Sequence, residues 1–330
     1  MKNILFLATG GTIASSPGAH GIQPSYSADD LLAAFPLIPK MCSVDAKSIM
    51  SIDSTNMQPE DWITIARCAY EGLFTHDGVV ISHGTHTLAY TASALSFMLQ
   101  NLSKPVILTG SQIALSEEGT DAGRNLIDAF ITACSGLSGV HVVFNRMIIR
   151  GARASKVKSK SPDAFHSINY PYIGRVFDNR VEYLYRPPGP KGGETRLIPQ
   201  VSPLVFLLKL IPGTPGSIFD ALLDIGFRGV VIESYGVGGV PTLGRNLVPK
   251  IQRMLDRGVQ VAVGTQSLYD GTDLSINATG RAILEIGVIP GHDMTTEALV
   301  TKMMWAVGQT DDPEEVRRIM LTNYADEVTI

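Results

Sequence analysis

The chain has 330 residues, 45% of them hydrophobic and 18% charged, with 32 glycines and a formal net charge of −4 at pH 7. That length is generous for a single hydrophobic core, so two domains are the default. The slightly acidic balance excludes the electrostatic footprint of a nucleic-acid binder.

In chain order, strand-like runs at Asn3–Thr9, Val44–Ile52, Gly78–His83, Pro105–Thr109 and Gly139–Asn145 alternate with helical periodicity near Ala28–Phe35, Pro59–Phe74, Leu88–Gln100 and Asp121–Ser135. Pro59 followed by Glu60 and Asp61 marks a helix start, because proline fits the first turn and carboxylates suit its positive end. Clustered Pro and Gly at 186–210 read as a linker. Beyond it follow a helix at Ser217–Ile225, a strand at Gly229–Ser234, a helix at Asn246–Arg257, a strand at Val259–Val263, and helices at Thr295–Val307 and Pro313–Leu321. The expected fold is α/β: a parallel-sheet N-terminal domain (1–185) with helices on both faces, and a smaller α/β C-terminal domain (211–330).

The N-terminal apolar run stops at Ala8, short of a secretory h-region, and no stretch is long enough to span a membrane. Three cysteines, Cys42, Cys68 and Cys134, lack CxxC spacing and suit a reducing compartment. A cytoplasmic protein with no nucleic-acid or membrane partner is expected. The basic stretch Arg150–Lys160 reads, on charge alone, as a solvated loop rather than a ligand-facing one.

In open α/β sheets ligands bind beyond the carboxyl ends of the strands. There the sequence sets Thr12, then Ser54 and Thr55, then Thr85 and His86, then Ser111. Capping and turn formation explain such hydroxyls as well as a hydrolytic site does. The GxGxxG spacing of a dinucleotide loop is absent, as is a GxxxxGK[ST] phosphate loop. His83 and His86 form an HxxH pair without a locally spaced third ligand, so a structural or catalytic role is expected rather than a zinc site. No cofactor and no metal are expected.

The motifs ATGGTIAS (8–15), DSTNM (53–57), HGTHT (83–87), LTGSQ (108–112) and RGARASK (150–156) resemble those of the bacterial-type L-asparaginases, most nearly the cytoplasmic type I branch. The resemblance extends to ESYGVGGVP (233–241) and TQSLYDGTDLS (265–275). It implies a cofactor-free amidohydrolase releasing ammonia from L-asparagine. Thr12 would attack the amide carbonyl from a mobile loop, here Ser15–Gln23. Thr85 and Lys156 would handle the proton, Ser54 and Thr55 would hold the substrate carboxylate, and Gly11 and Gly84 would line the site. Backbone N–H groups of Gly11 and Thr85 would stabilise the oxyanion. A homodimer or tetramer is also implied.

Two positions depart from the family pattern. The motif HGTDT reads HGTHT, so His86 stands where an aspartate would receive the substrate's α-ammonium, and Ile22 stands where many members carry a tyrosine. A neutral imidazole brings no negative charge, so weakened turnover is expected. The change leaves three rivals open: an amidase for substrates lacking a free α-ammonium, an impaired homologue that senses a small amino acid, and a variant at this one position. A metal hydrolase is a remote fourth. The resemblance further implies a regulatory site in the type I branch, although Glu233 occupies the position of its expected arginine.

Overall fold

Residues 3–10 are apolar at nearly every position, and such a strand is stable only with both faces covered. In the computed structural model, which describes residues 1–18, 21–187, 189 and 192–329, this run is β1 (Asn3–Gly10), fully inside a large sheet. A hairpin follows, β2 (Ser15–Gly18) and β3 (Gly21–Pro24), then two short helices, α1 (Ala28–Ala34) and α2 (Ile38–Met41). Next come β4 (Ser43–Ile52), α3 (Pro59–Thr75), β5 (Gly78–Ser82), α4 (Leu88–Met98) and β6 (Leu99–Gln100). Then follow β7 (Pro105–Thr109), α5 (Ala122–Ala133), β8 (Gly139–Phe144) and β9 (Met147–Arg150). β10 (Ala154–Lys156), β11 (Phe165–Ser167), β12 (Gly174–Phe177), β13 (Arg180–Tyr183) and β14 (Arg196–Leu197) complete the first unit, Met1–Pro199.

Among the described residues the main sheet has eight strands in the order β13-β12-β9-β8-β7-β5-β1-β4. The five from β4 to β8 are parallel, and β9, β12 and β13 continue antiparallel. From β1 the chain pairs β4 on one side, then returns to pair β5 on the other. The strand order therefore reverses between β1 and β5, the place where open α/β sheets form a crevice. Helix α3 begins as the sequence predicts. Pro59 sits in its first turn, and Asp61 accepts the Gln58 backbone N–H at 2.8 Å.

The α/β expectation holds, with several local corrections. The antiparallel strands β9 to β13 carry no βα alternation and were not foreseen; they pair as local hairpins (β8–β9 and β12–β13). Part of the expected mobile loop is the hairpin β2–β3, in which Ser15 pairs Pro24 and Ser16 pairs Gln23, while Ala19 and His20 at its tip lie outside the described residues. The expected linker, 186–210, is shorter than its Pro and Gly content suggests. Arg196–Leu197 pairs with β6, and 205–209 is already a strand of the second unit; Pro188, Pro190 and Lys191 lie outside the described residues. The basic stretch is not a solvated loop at its start: residues 151–155 are buried, with Arg153 fully enclosed over the Tyr170 ring at 5.2 Å.

The second unit, Gln200–Ile330, holds β15 (Val205–Lys209), α6 (Ser217–Ile225), β16 (Gly229–Ser234), α7 (Val248–Asp256) and β17 (Gln260–Thr265). It continues with α8 (Ala278–Leu284), β18 (Ile289–Pro290), α9 (Thr296–Gln309) and α10 (Pro313–Leu321). β15 to β18 form a parallel sheet in sequence order, over a core that includes Phe219, Leu222, Val230, Ile232 and Met254. β15, α8 and β18 were not foreseen: short apolar runs beside Pro and Gly resemble turns in sequence. Lys302 and Glu327 are both fully buried and joined at 2.6 Å. Lys302 Nζ also donates to the Met320 and Thr322 carbonyls at 2.8 and 2.7 Å, so every proton of the ammonium has an acceptor. Among the described residues, no helix is long and apolar enough to cross a membrane.

Asp128 on α5 is buried, and neither carboxylate oxygen has a hydrogen-bond partner among the described residues. Burial pushes its pKa up to about 6, against the pull of Arg124 and Arg146. The folded state therefore holds this proton more tightly than the unfolded chain. Stability is lost as pH rises from the ordinary aspartate range through about 6. Asp128→Asn is expected to raise Tm by roughly 2–6 °C at pH 7.5, with the gain shrinking as pH falls towards 4. Thermal unfolding of both proteins across that range checks it; a pH-independent difference would count against the buried charge as its source.

Candidate active site

Four strand ends, those of β1, β4, β5 and β7, meet at the reversal point because three glycines let their backbones touch. Gly11 has φ +78°, and a Cβ built on it would lie 2.3 Å from both Gly84 Cα and Gly84 N. A Cβ on Gly84 would fall 2.5 Å from Ser54 Oγ, and one on Gly110 would fall 2.3 Å from the His83 carbonyl oxygen. No larger residue fits at these three positions without moving a backbone or a buried hydroxyl.

This packing brings Thr12, Ser54, Thr85 and His86 to one edge. Thr12 opens a short 3-10 turn, Thr12–Ala14, after Gly11, and its hydroxyl has no partner among the described residues. The turn is held by Ser15 Oγ, which donates to the Gly11 carbonyl at 2.7 Å. Ser54 is buried, and its Oγ accepts the His86 N–H at 3.2 Å. Thr87 Oγ1 donates to the Ser54 carbonyl at 2.7 Å, tying the loops after β4 and β5 together.

Lys156, at the end of β10, reaches into this edge and donates from Nζ to Thr85 Oγ1 at 2.7 Å. Thr85 is buried, and its hydroxyl in turn donates to Gln112 Oε1 at 3.1 Å. Burial of the Lys156 ammonium pulls its pKa below the ordinary lysine value. No carboxylate among the described residues pairs with it. An amine of this kind, touching a hydroxyl, can take that hydroxyl's proton once it has lost its own.

His83 is buried, and both its ring nitrogens are occupied: Nδ1 lies 2.7 Å from the Gly84 carbonyl and Nε2 lies 2.9 Å from Thr91 Oγ1. Burial pushes its pKa down to about 4, so it is neutral at physiological pH. A neutral ring that donates to Gly84 and accepts from Thr91 fixes the β5 loop and has no lone pair left for a metal. His86 is half-exposed, and its Nδ1 lies 3.5 Å from Asp53 Oδ1.

Two expected contributions are redirected. The Gly11 N–H, expected to serve an oxyanion, donates to the Ile52 carbonyl at 2.9 Å. The Gly84 and Thr85 N–H groups have no acceptor among the described residues, so the available pair of donors sits one loop over. Thr55, expected beside the substrate carboxylate, is exposed and gives its hydroxyl proton to Asp53 at 2.7 Å. Ser111 donates to the Ile113 carbonyl at 2.8 Å and holds a turn. Gln112 is the residue that sequence reasoning missed. Its amide nitrogen is anchored on the Ser161 carbonyl at 3.2 Å, which aims its oxygen at Thr85. The LTGSQ motif was the available signal.

The family model "Asparaginase, N-terminal" matches residues 3–189, and "Glutaminase/Asparaginase C-terminal domain" matches residues 204–320. An L-asparaginase of Thermococcus kodakarensis is 44% identical, with 99% of each chain covered. One subunit of the glutamyl-tRNA(Gln) amidotransferase of the same organism is 40% identical over all of this chain and 77% of its own length. Among solved structures, the thermostable L-asparaginase of Thermococcus kodakarensis superposes with a TM-score of 0.94 at 43% identity, over 99% of both chains. L-asparaginase I of Vibrio cholerae gives 0.88 at 32% identity, over 100% of this chain and 99% of its own.

Replacing Gly11 tests the backbone packing. Gly11→Ala is expected to cost about 2–4 kcal/mol, from the positive φ and the collision with Gly84 together. Gly136 also has a positive φ, +81°, but nothing lies within 4 Å of its built Cβ, so Gly136→Ala should cost only about 1 kcal/mol. Urea unfolding of both variants separates the two contributions, and equal losses would show that the Gly11–Gly84 contact adds nothing.

Proposed function

Because the chain belongs to the asparaginase family, whose members are amidohydrolases acting on C–N bonds, we propose that it hydrolyses L-asparagine to L-aspartate and ammonia. The observation that carries this reading is the 2.7 Å contact from Lys156 Nζ to Thr85 Oγ1, at a loop that touches the Thr12 loop. Thr12 supplies the nucleophile: its Oγ adds to the side-chain amide carbon, the C–N bond breaks, and ammonia leaves with the proton delivered to it. Water then cleaves the resulting ester, releasing the acid and restoring the hydroxyl. The Gly84 and Thr85 N–H groups fit the task of receiving negative charge on the carbonyl oxygen, since they are fixed and otherwise unpaired among the described residues. Ser54, buried beside the His86 N–H, would meet the substrate carboxylate; Thr55 supports the turn beside it.

Steady-state ammonia release from purified protein tests the reading. Activity on L-asparagine is expected, with Thr12→Ala, Thr85→Ala and Lys156→Met each lowering kcat by about 100-fold or more. The same assay with L-glutamine sets the amide preference. Binding of the amino acid without ammonia release would instead support a sensor.

The lowered pKa of Lys156 adds a pH signature. The neutral amine is the form that accepts the Thr85 proton, so kcat should rise with pH through a value below that of free lysine and then level off. Lys156→Arg keeps a donor but not a base, and should flatten that limb. A second variant addresses the departure from the family motif. His86→Asp restores the carboxylate of the family motif for the substrate's α-ammonium and is expected to raise kcat/KM for L-asparagine about tenfold; no gain would mean that the histidine is a working replacement.

A further inference from the structure

We propose that Asp53 is a specificity-determining residue: paired with His86, it supplies the negative charge that selects a ligand carrying a free α-ammonium group. The inference rests on the amino-acid substrate proposed above. Such a ligand is a zwitterion, and Lys156 offers this edge an ammonium without a carboxylate partner among the described residues. A pocket with that cation and no accessible anion would repel the α-ammonium.

Among the described residues, Asp121 and Asp53 accept hydrogen bonds from the site loops, while Asp61 acts on the buried His83 only through its field. Asp121 accepts the backbone N–H groups of Gln112 and Ile113 at 3.0 Å and Asn125 Nδ2 at 3.0 Å, so both its oxygens are committed to holding a turn. Asp53 is different. Its Oδ1 accepts the Thr55 N–H at 2.8 Å and the Thr55 hydroxyl at 2.7 Å, and it lies 3.5 Å from His86 Nδ1. Its Oδ2 has no donor among the described residues, and the side chain is 47% exposed. Burial alone would raise its pKa, but the Thr55 and His86 contacts outweigh that and hold the carboxyl below the ordinary range. It is therefore charged throughout the neutral range.

His86 Nδ1 faces Asp53 Oδ1 at 3.5 Å, which leaves Nε2 on the other edge of the ring, and the Asp53 carboxylate brings the negative charge to the pair. The free oxygen of Asp53 is an acceptor next to the His86 backbone N–H, which is already tied to Ser54. Part of the charge that the aspartate of HGTDT would place at position 86 is thereby supplied from the neighbouring strand end.

The test varies the charge at Asp53 and the ammonium on the ligand independently. Asp53→Asn keeps an Oδ1 for Thr55, so the turn survives, which an unchanged Tm verifies. Ammonia release is measured with L-asparagine and with succinamate, the same amide without the amino group, and L-aspartate and succinate binding is measured by calorimetry. Asp53→Asn is expected to raise KM for L-asparagine and Kd for L-aspartate about five- to tenfold, and to leave succinamate and succinate within about twofold. Equal losses for both members of each pair, or none, would overturn the proposal and leave Asp53 a turn-former. If wild-type protein releases no ammonia yet binds L-aspartate with the same Asp53 dependence, the hydrolase reading fails and this inference stands. If it neither releases ammonia nor binds L-aspartate at millimolar concentration, both fall.

Discussion

The site depends on backbones coming closer than side chains allow. Gly11 presses on Gly84, Gly84 on Ser54, and Gly110 on the His83 carbonyl. Each contact joins a different pair of strand ends, so the loops after β1, β4, β5 and β7 form one layer, two of the contacts backbone against backbone and the third Gly84 against the Ser54 hydroxyl. The hydroxyls they carry are thus fixed by main-chain geometry, which varies little with thermal motion compared with long rotamers. Catalysis by weak nucleophiles needs that arrangement, since a threonine hydroxyl reacts only when its base and its electrophile are both already in place.

Charge is distributed around this layer in an unusual way. The Lys156 ammonium reaches in from β10 and meets a hydroxyl. Asp121 is held by the Gln112 and Ile113 N–H groups and by Asn125 Nδ2, and His83 is neutral and holds a loop. Asp53 and His86 remain as the half-exposed polar groups at the rim. Cation and anion therefore sit on separate elements and do not neutralise each other directly, a layout suited to a small molecule that bears both signs.

Much of the fold could be read from the sequence because β1, β5, β7 and β8 are mostly apolar runs and the helices between the parallel strands are long and periodic. The antiparallel strands β9 to β13 are short and mixed in polarity, and pairing with neighbours in space decided their conformation. The same split runs through the site. Thr12, Ser54, Thr85 and His86 follow strands directly, so their convergence was legible. Whether Gly11 or Gly84 has a spare N–H depends on where Ile52 lies, and Thr55 faces Asp53 because of a two-residue turn. Arg153 shows the limit of composition: in a basic run it looks solvated, yet it is enclosed against Tyr170.

The buried Lys302–Glu327 pair changes what the last residues of the second unit mean for it. Terminal segments ordinarily fray with almost no free-energy change. Here Glu327 also accepts the N–H groups of Tyr324 and Ala325, so the segment is folded around the very carboxylate that neutralises Lys302. Peeling it away would strand an ammonium inside α9's packing, which is far costlier than exposing a few side chains. For this unit, proteolytic trimming of the tail and opening of the core become one cooperative event.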